Sequence, residues 1–139
     1  MKSFLGVDYG RARIGLAISE AGLIARPLKT IENKGERKNL AAFAAVLAQF
    51  NVGCIVIGLP VHKNSAMSDE VRAFAETLEP LGVEIVFQNE MLSSVGAEGI
   101  SPTPSRFQRA TPSFRRGINS IDSVAASVIL QDYLEKEGR

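Results

Sequence analysis

The chain has 139 residues, 45% apolar and 22% charged, a composition that suits one soluble globular domain able to bury a real core. No apolar run approaches the ~18 residues of a membrane-spanning helix, and a single cysteine, Cys54, excludes an internal disulfide and any multi-cysteine metal site. The net charge of +1 says little about partners, so its distribution along the chain has to carry that information. Met1-Lys2-Ser3 leads straight into a strand and leaves no room for a signal peptide, so a cytoplasmic protein with no membrane partner is expected.

Phe4-Leu5-Gly6-Val7 is a short apolar run that ends in Asp8-Tyr9-Gly10, which predicts a buried first strand with a carboxylate where the strand leaves the core. Asp8 fits a turn residue as well as a fixed acid at the mouth of a site. In the second strand Ile14, Leu16 and Ile18 alternate with Gly15 and Ala17, so the small residues share one face and let another element pack close. The short link predicts an antiparallel hairpin. A third strand within 23–32 contains Pro27, which places it at a sheet edge.

From about Arg37 to Phe50 the period becomes helical, with Leu40, Phe43, Ala44 and Leu47 on one stripe. Cys54-Ile55-Val56-Ile57 is continuous and apolar, the pattern of a parallel strand buried on both faces, and it ends at Gly58-Leu59-Pro60. A polar loop over 61–68 follows, with His62 and Lys63 in it. Ser68 reads as the N-cap of a second helix, with Asp69 and Glu70 in its first turn and Val71, Phe74, Ala75 and Leu78 as its stripe. Val83 to Phe87 is a fifth strand that runs into Gln88-Asn89-Glu90. A short helix over 91–99, a proline-containing loop over 101–118 and a last helix from Asn119 to about Lys136 complete the chain. That helix presents Ile121, Ala125, Val128 and Ile129 on a common face, thickened by Val124, Ala126 and Leu130, and is apolar enough to be largely buried.

The order β-β-β-α-β-α-β-α, with right-handed crossovers, predicts one α/β domain over 1–139. Its five-stranded mixed sheet has order 3-2-1-4-5, with helices on both faces. Ligands of such sheets gather at the carboxyl ends of the parallel strands. Asp8, Glu90 and, if the last helix packs back across the sheet, Asp122 then converge on one edge. Glu90 and Asp122 also fit acids in the first turn of a helix, where the helix dipole favours them. A cluster of three carboxylates suits Mg²⁺ or Mn²⁺, and a two-metal site of that kind hydrolyses phosphodiesters without a protein nucleophile. The loop from Ser101 to Ile121 contains no acid but has Arg106, Arg109, Arg115 and Arg116 interleaved with Phe107 and Phe114. With Arg11, Arg13 and Lys63 it forms a candidate nucleic-acid contact set.

Gly6-Val7-Asp8-Tyr9-Gly10, Arg13-Ile14-Gly15-Leu16-Ala17, Ile57-Gly58-Leu59-Pro60 and Ile121-Asp122-Ser123-Val124-Ala125-Ala126, in that order, resemble the YqgF (RuvX) family along nearly the whole chain. The resemblance implies a ribonuclease H-like fold similar to Holliday junction resolvases. It implies a metal-dependent nuclease that matures the 5′ end of pre-16S rRNA or cuts branched DNA, with Asp8 and Asp122 matching the family's first and last acids. RNA or branched DNA is the implied partner, and symmetric cutting would need a homodimer. Where the family reads Asp-Glu-Arg this chain has Asn89-Glu90-Met91, which removes one acid and one phosphate contact and implies weakened catalysis. A nucleic-acid-binding module in rRNA processing is the alternative.

Overall fold

The computed structural model describes residues 2–60, 65–89 and 121–137. Five strands form one sheet: β1 Ser3–Asp8, β2 Arg13–Ser19, β3 Arg26–Glu32, β4 Val52–Leu59 and β5 Glu84–Asn89. Their order is β3-β2-β1-β4-β5, with β1 antiparallel to β2 and parallel to β4, and β4 parallel to β5. This is the predicted ribonuclease H-like arrangement. Pro27 lies on edge strand β3, where the pairing with β2 shifts register between Leu16 and Ala17, so the missing N–H is tolerated. Among the described residues no helix is long and apolar enough to cross a membrane.

The helices are α1 (Glu36–Phe50), α2 (Ser65–Thr77) and α3 (Ile121–Glu137), with a 3-10 turn at Glu79–Leu81 before β5. One face of the sheet offers Leu5, Val7, Ile14, Leu16, Ile18, Ile55 and Ile57 to Phe43 and Val46 of α1 and to Val71, Phe74 and Ala75 of α2. The opposite face offers Ala17, Cys54 and Val56 to Ala126, Ile129, Leu130 and Leu134 of α3. Helices therefore cover both faces.

Three local expectations are corrected. Helix α2 starts at Ser65, inside the expected loop, so Ser68 is not its N-cap and no acid stands in its first turn. The Ser68 hydroxyl donates instead to the Pro60 carbonyl and ties the helix to the end of β4. In α1, Ala44 is exposed, and Asn39 and Val46 join Phe43 inside. In α3 the buried face is Ser123, Ala126, Ile129, Leu130 and Leu134, while Ile121 and Val128 are exposed. Ala126, Ile129 and Leu130 turn inward as expected, and the small Ser123 joins them where this helix approaches the sheet at its glycines.

Candidate active site

Alternation along β1 decides where Asp8 points. Leu5 and Val7 belong to the core under α1 and α2, and Tyr9 stacks on Phe74 at a centroid distance of 4.7 Å. Phe4, Gly6 and Asp8 therefore share the α3 face, and the Phe4 ring meets Tyr133 of α3 at 6.3 Å. On β2 the same face carries Arg13, Gly15 and Ala17, and Gly15 is the cross-strand partner of Asp8.

Two glycines set how closely α3 can lie. A Cβ on Gly6 would stand 2.7 Å from Leu130 Cβ and 2.8 Å from the Ala126 carbonyl oxygen. A Cβ on Gly15 would stand 2.0 Å from the Asp122 carbonyl oxygen, a distance no side chain can adopt. The first turn of α3 thus rests directly on the backbone of β2 beside Asp8. The predicted small-residue face of β2 is the seat of this helix.

The two acids consequently sense each other. Burial first, and the charge of Asp122 second, together push the Asp8 carboxyl from 3.8 up to about 6. Arg13 Nε donates to Asp122 Oδ2 at 2.9 Å. Arg11 turns to the other side of the sheet edge and donates from Nε to both carboxylate oxygens of Glu70 on α2, at 2.9 and 3.0 Å. This hydrogen bonding holds the Glu70 carboxyl below its ordinary range.

The turn that carries both arginines is fastened by residues that sequence reasoning did not single out. Asn33 donates its backbone N–H to the Ala12 carbonyl at 3.0 Å and its side-chain amide to the Gly10 carbonyl at 2.9 Å. Asn39, only 5% exposed, donates to Asn33 Oδ1 at 2.9 Å and accepts from the Lys34 N–H at 3.1 Å. The signal available in the sequence was Asn39 itself, an amide on the buried side of an otherwise apolar stripe. A recess of about 300 Å³ lined by Tyr9, Asn33, Asn39, Glu70 and Phe74 lies on this side, on the opposite face of the sheet from Asp8.

Of the predicted acids, Asp8 and Asp122 are brought together at the carboxyl edge. Asn89 ends β5 at that edge and is exposed. Glu90, Met91, His62, Lys63, Arg106, Arg109, Arg115 and Arg116, and the expected helix over 91–99, lie outside the described residues. Among the described residues no three acidic, imidazole or thiol side chains gather as a metal cluster. The pair nevertheless suits a hard divalent cation. It offers only oxygen donors, its like charges oppose each other, and Mg²⁺ is commonly held by one or two carboxylates together with water and phosphate.

Fold and site together define a ribonuclease H-like domain with an acid pair at the carboxyl edge of its central strand. A family model described as "RuvX: Holliday junction resolvase" matches residues 2–136. The chain belongs to that family. A protein of Anaeromyxobacter sp. (strain Fw109-5) named "Putative pre-16S rRNA nuclease" is 39% identical over 137 residues, covering 95% of this chain and 96% of the relative. One of the same name from Chlamydia pneumoniae is 37% identical over 141 residues, covering 96% and 90%. The fold is shared with Thermus thermophilus RuvC in complex with a Holliday junction substrate, at TM-score 0.60 and 13% identity over 99% of this chain and 97% of that one. It is shared also with a Fowlpox virus resolvase in complex with Holliday junction DNA, at TM-score 0.53 and 11% identity over 96% and 97%.

Proposed function

We propose that this chain is a divalent-cation-dependent endonuclease that hydrolyses phosphodiester bonds in structured nucleic acid, with the 5′ end of pre-16S rRNA as its first substrate and four-way DNA junctions as its second. The observation that carries this reading is the meeting of Asp8 and Asp122 at the sheet edge, enforced by the contact of α3 with Gly15. The names of the relatives support the substrate class.

Asp8, Asp122 and Glu90 are the proposed ligands of Mg²⁺ or Mn²⁺, in a one- or two-ion site. Such an ion would supply an activated water and neutralise charge on the scissile phosphate. The protein's own part is positional. Central strand β1 fixes Asp8, and helix α3 fixes Asp122 against it. Arg13 lies beside the pair and Arg11 at the same strand end on the opposite face; both are proposed to contact the phosphates that flank the cut, with Lys63, Arg106, Arg109, Arg115 and Arg116 extending that contact. Asn89 and Met91 stand where the family's acid and arginine stand, which slows the reaction relative to relatives that keep both. The protein works in the cytoplasm, and cutting both strands of a junction calls for a homodimer.

The test is incubation with Mn²⁺ or Mg²⁺ on a 5′-extended 16S precursor and on a four-way DNA junction, with Asp8→Asn in parallel. Cation-dependent cutting that Asp8→Asn loses is the expected result. Binding without cutting, equal in both proteins, would establish instead the binding-module reading that Asn89 and Met91 favour.

A further inference from the structure

The two arginines of the β1–β2 turn are divided between the faces of the sheet. Arg11 is committed to Glu70 by a forked contact. Arg13 leads β2 on the same face as Gly15, and its Nε holds Asp122 at 2.9 Å. The acid opposite Arg13 on β3, Glu32, is itself paired with Lys34 at 3.4 Å. Arg13 is 63% exposed along its side chain, whereas Asp122 is 24% exposed. The guanidinium thus reaches in from solvent to a carboxylate whose charge, among the described residues, also meets that of Asp8.

We infer that Arg13 is an exchangeable counter-ion: it occupies Asp122 until a nucleic-acid phosphate draws it away, so that divalent cation and nucleic acid load onto the site together. The inference rests on the proposed metal role of Asp8 and Asp122. A guanidinium and a divalent cation compete for the same carboxylate oxygens and repel each other across a few ångströms. Phosphate offers the guanidinium a forked contact at least as good as the one it gives up. An exposed Arg–carboxylate pair is held weakly enough to be exchanged. Two ligands that each favour the same arrangement of Arg13 must tighten each other's binding, and reciprocally so. Without nucleic acid, Arg13 stays on Asp122 and the site resists the cation that would arm it.

The test titrates the full chain with Mn²⁺ alone, reading free ion by electron paramagnetic resonance. It then repeats the titration with a four-way DNA junction, corrected for Mn²⁺ held by the junction itself. Without DNA, Arg13→Gln should bind Mn²⁺ roughly fivefold tighter than the unmodified protein, or more. Arg13→Lys, which keeps the charge, should return affinity toward the unmodified value. Junction DNA should tighten Mn²⁺ binding in the unmodified protein and leave it unchanged in Arg13→Gln. Equal or weaker binding in Arg13→Gln overturns the counter-ion role. Asp8→Asn separates the two levels: if it loses Mn²⁺ while Arg13→Gln is unchanged, only the counter-ion role falls. If Asp8→Asn binds Mn²⁺ as the unmodified protein does, the metal site and the counter-ion role fall together.

Discussion

The two faces of the sheet are built on opposite packing rules. Under α1 and α2 the strands present Leu5, Val7, Ile14, Leu16 and Ile57, and the helices answer with Phe43 and Phe74, whose rings meet edge-on at 5.8 Å. Side chains fill the space between the layers there, which is where burial stabilises most. Under α3 the strands present Cys54 and Val56 to Ile129, Leu130 and Leu134, but toward the site they present Gly6, Gly15 and Ala17, and the helix answers with Ser123 and Ala126. There backbone meets backbone, with little freedom to shift. The first face holds the fold together, and the second sets the distance between two acids. Stability and the geometry of the acid pair are therefore separable by mutation.

The comparison breaks most visibly at Phe43, which is fully buried. Phe43→Ala should cost about 3–5 kcal/mol in chemical denaturation, while the cleavage rate per folded molecule stays near that of the unmodified protein. Gly15→Ala should do the reverse. Its new Cβ collides with the Asp122 carbonyl and displaces the helix end, so cleavage should fall about a hundredfold for a shift of the order of an ångström. Its denaturation midpoint should move less than that of Phe43→Ala. A Gly15→Ala protein with normal cleavage would show that the close face has no role in positioning.

Asp8→Asn sharpens the contrast at the site itself. Because the folded Asp8 carboxyl is raised from 3.8 to about 6, the fold favours its neutral form, and ionisation works against stability as pH rises through that window. The cation-free Asn variant should therefore be more stable than the unmodified protein at pH 8, by on the order of 1–3 kcal/mol. That advantage should shrink through pH 6 and vanish below pH 4. Melting curves across this range check it, and a pH-independent difference would remove the buried-charge account. Cation affinity should fall with acidification through the same window, as Asp8 takes up its proton. The smallest effect belongs to Arg11 and Glu70, an ion pair at the surface. Glu70→Gln should leave the melting temperature within measurement scatter, and any residual difference should disappear near ~1 M salt.

The frame of the molecule was legible in the sequence because strand periodicity and crossover rules act over many residues at once. They placed Asp8 on a central strand and brought Asp122 to the same edge. What resisted reading depended on single contacts. Ser68 has the chemistry of an N-cap, yet its hydroxyl bonds backwards to Pro60, and nothing in the local pattern distinguishes the two uses. Of the apolar face expected of α3, Ala126, Ile129 and Leu130 do turn inward, whereas Ile121 and Val128 stay exposed. Ser123 joins that face because Gly15 and Gly6, on two other elements, demand close approach. Asn39 sits on the buried side of an apolar stripe, but Asn33 looks like a loop residue until the turn that the two fasten is seen in three dimensions.

The acid pair joins the first strand to the last described helix. During synthesis Asp8 emerges almost at once and Asp122 near the end, and chains fold from their N-terminal side as they are made. A partly made chain can thus assemble the sheet and its α1–α2 face while its acid pair is incomplete. On the proposed reading, cutting would begin only when the closing helix seats on Gly15, and a ribosome-bound or prematurely terminated product would leave the nucleic acid around it intact.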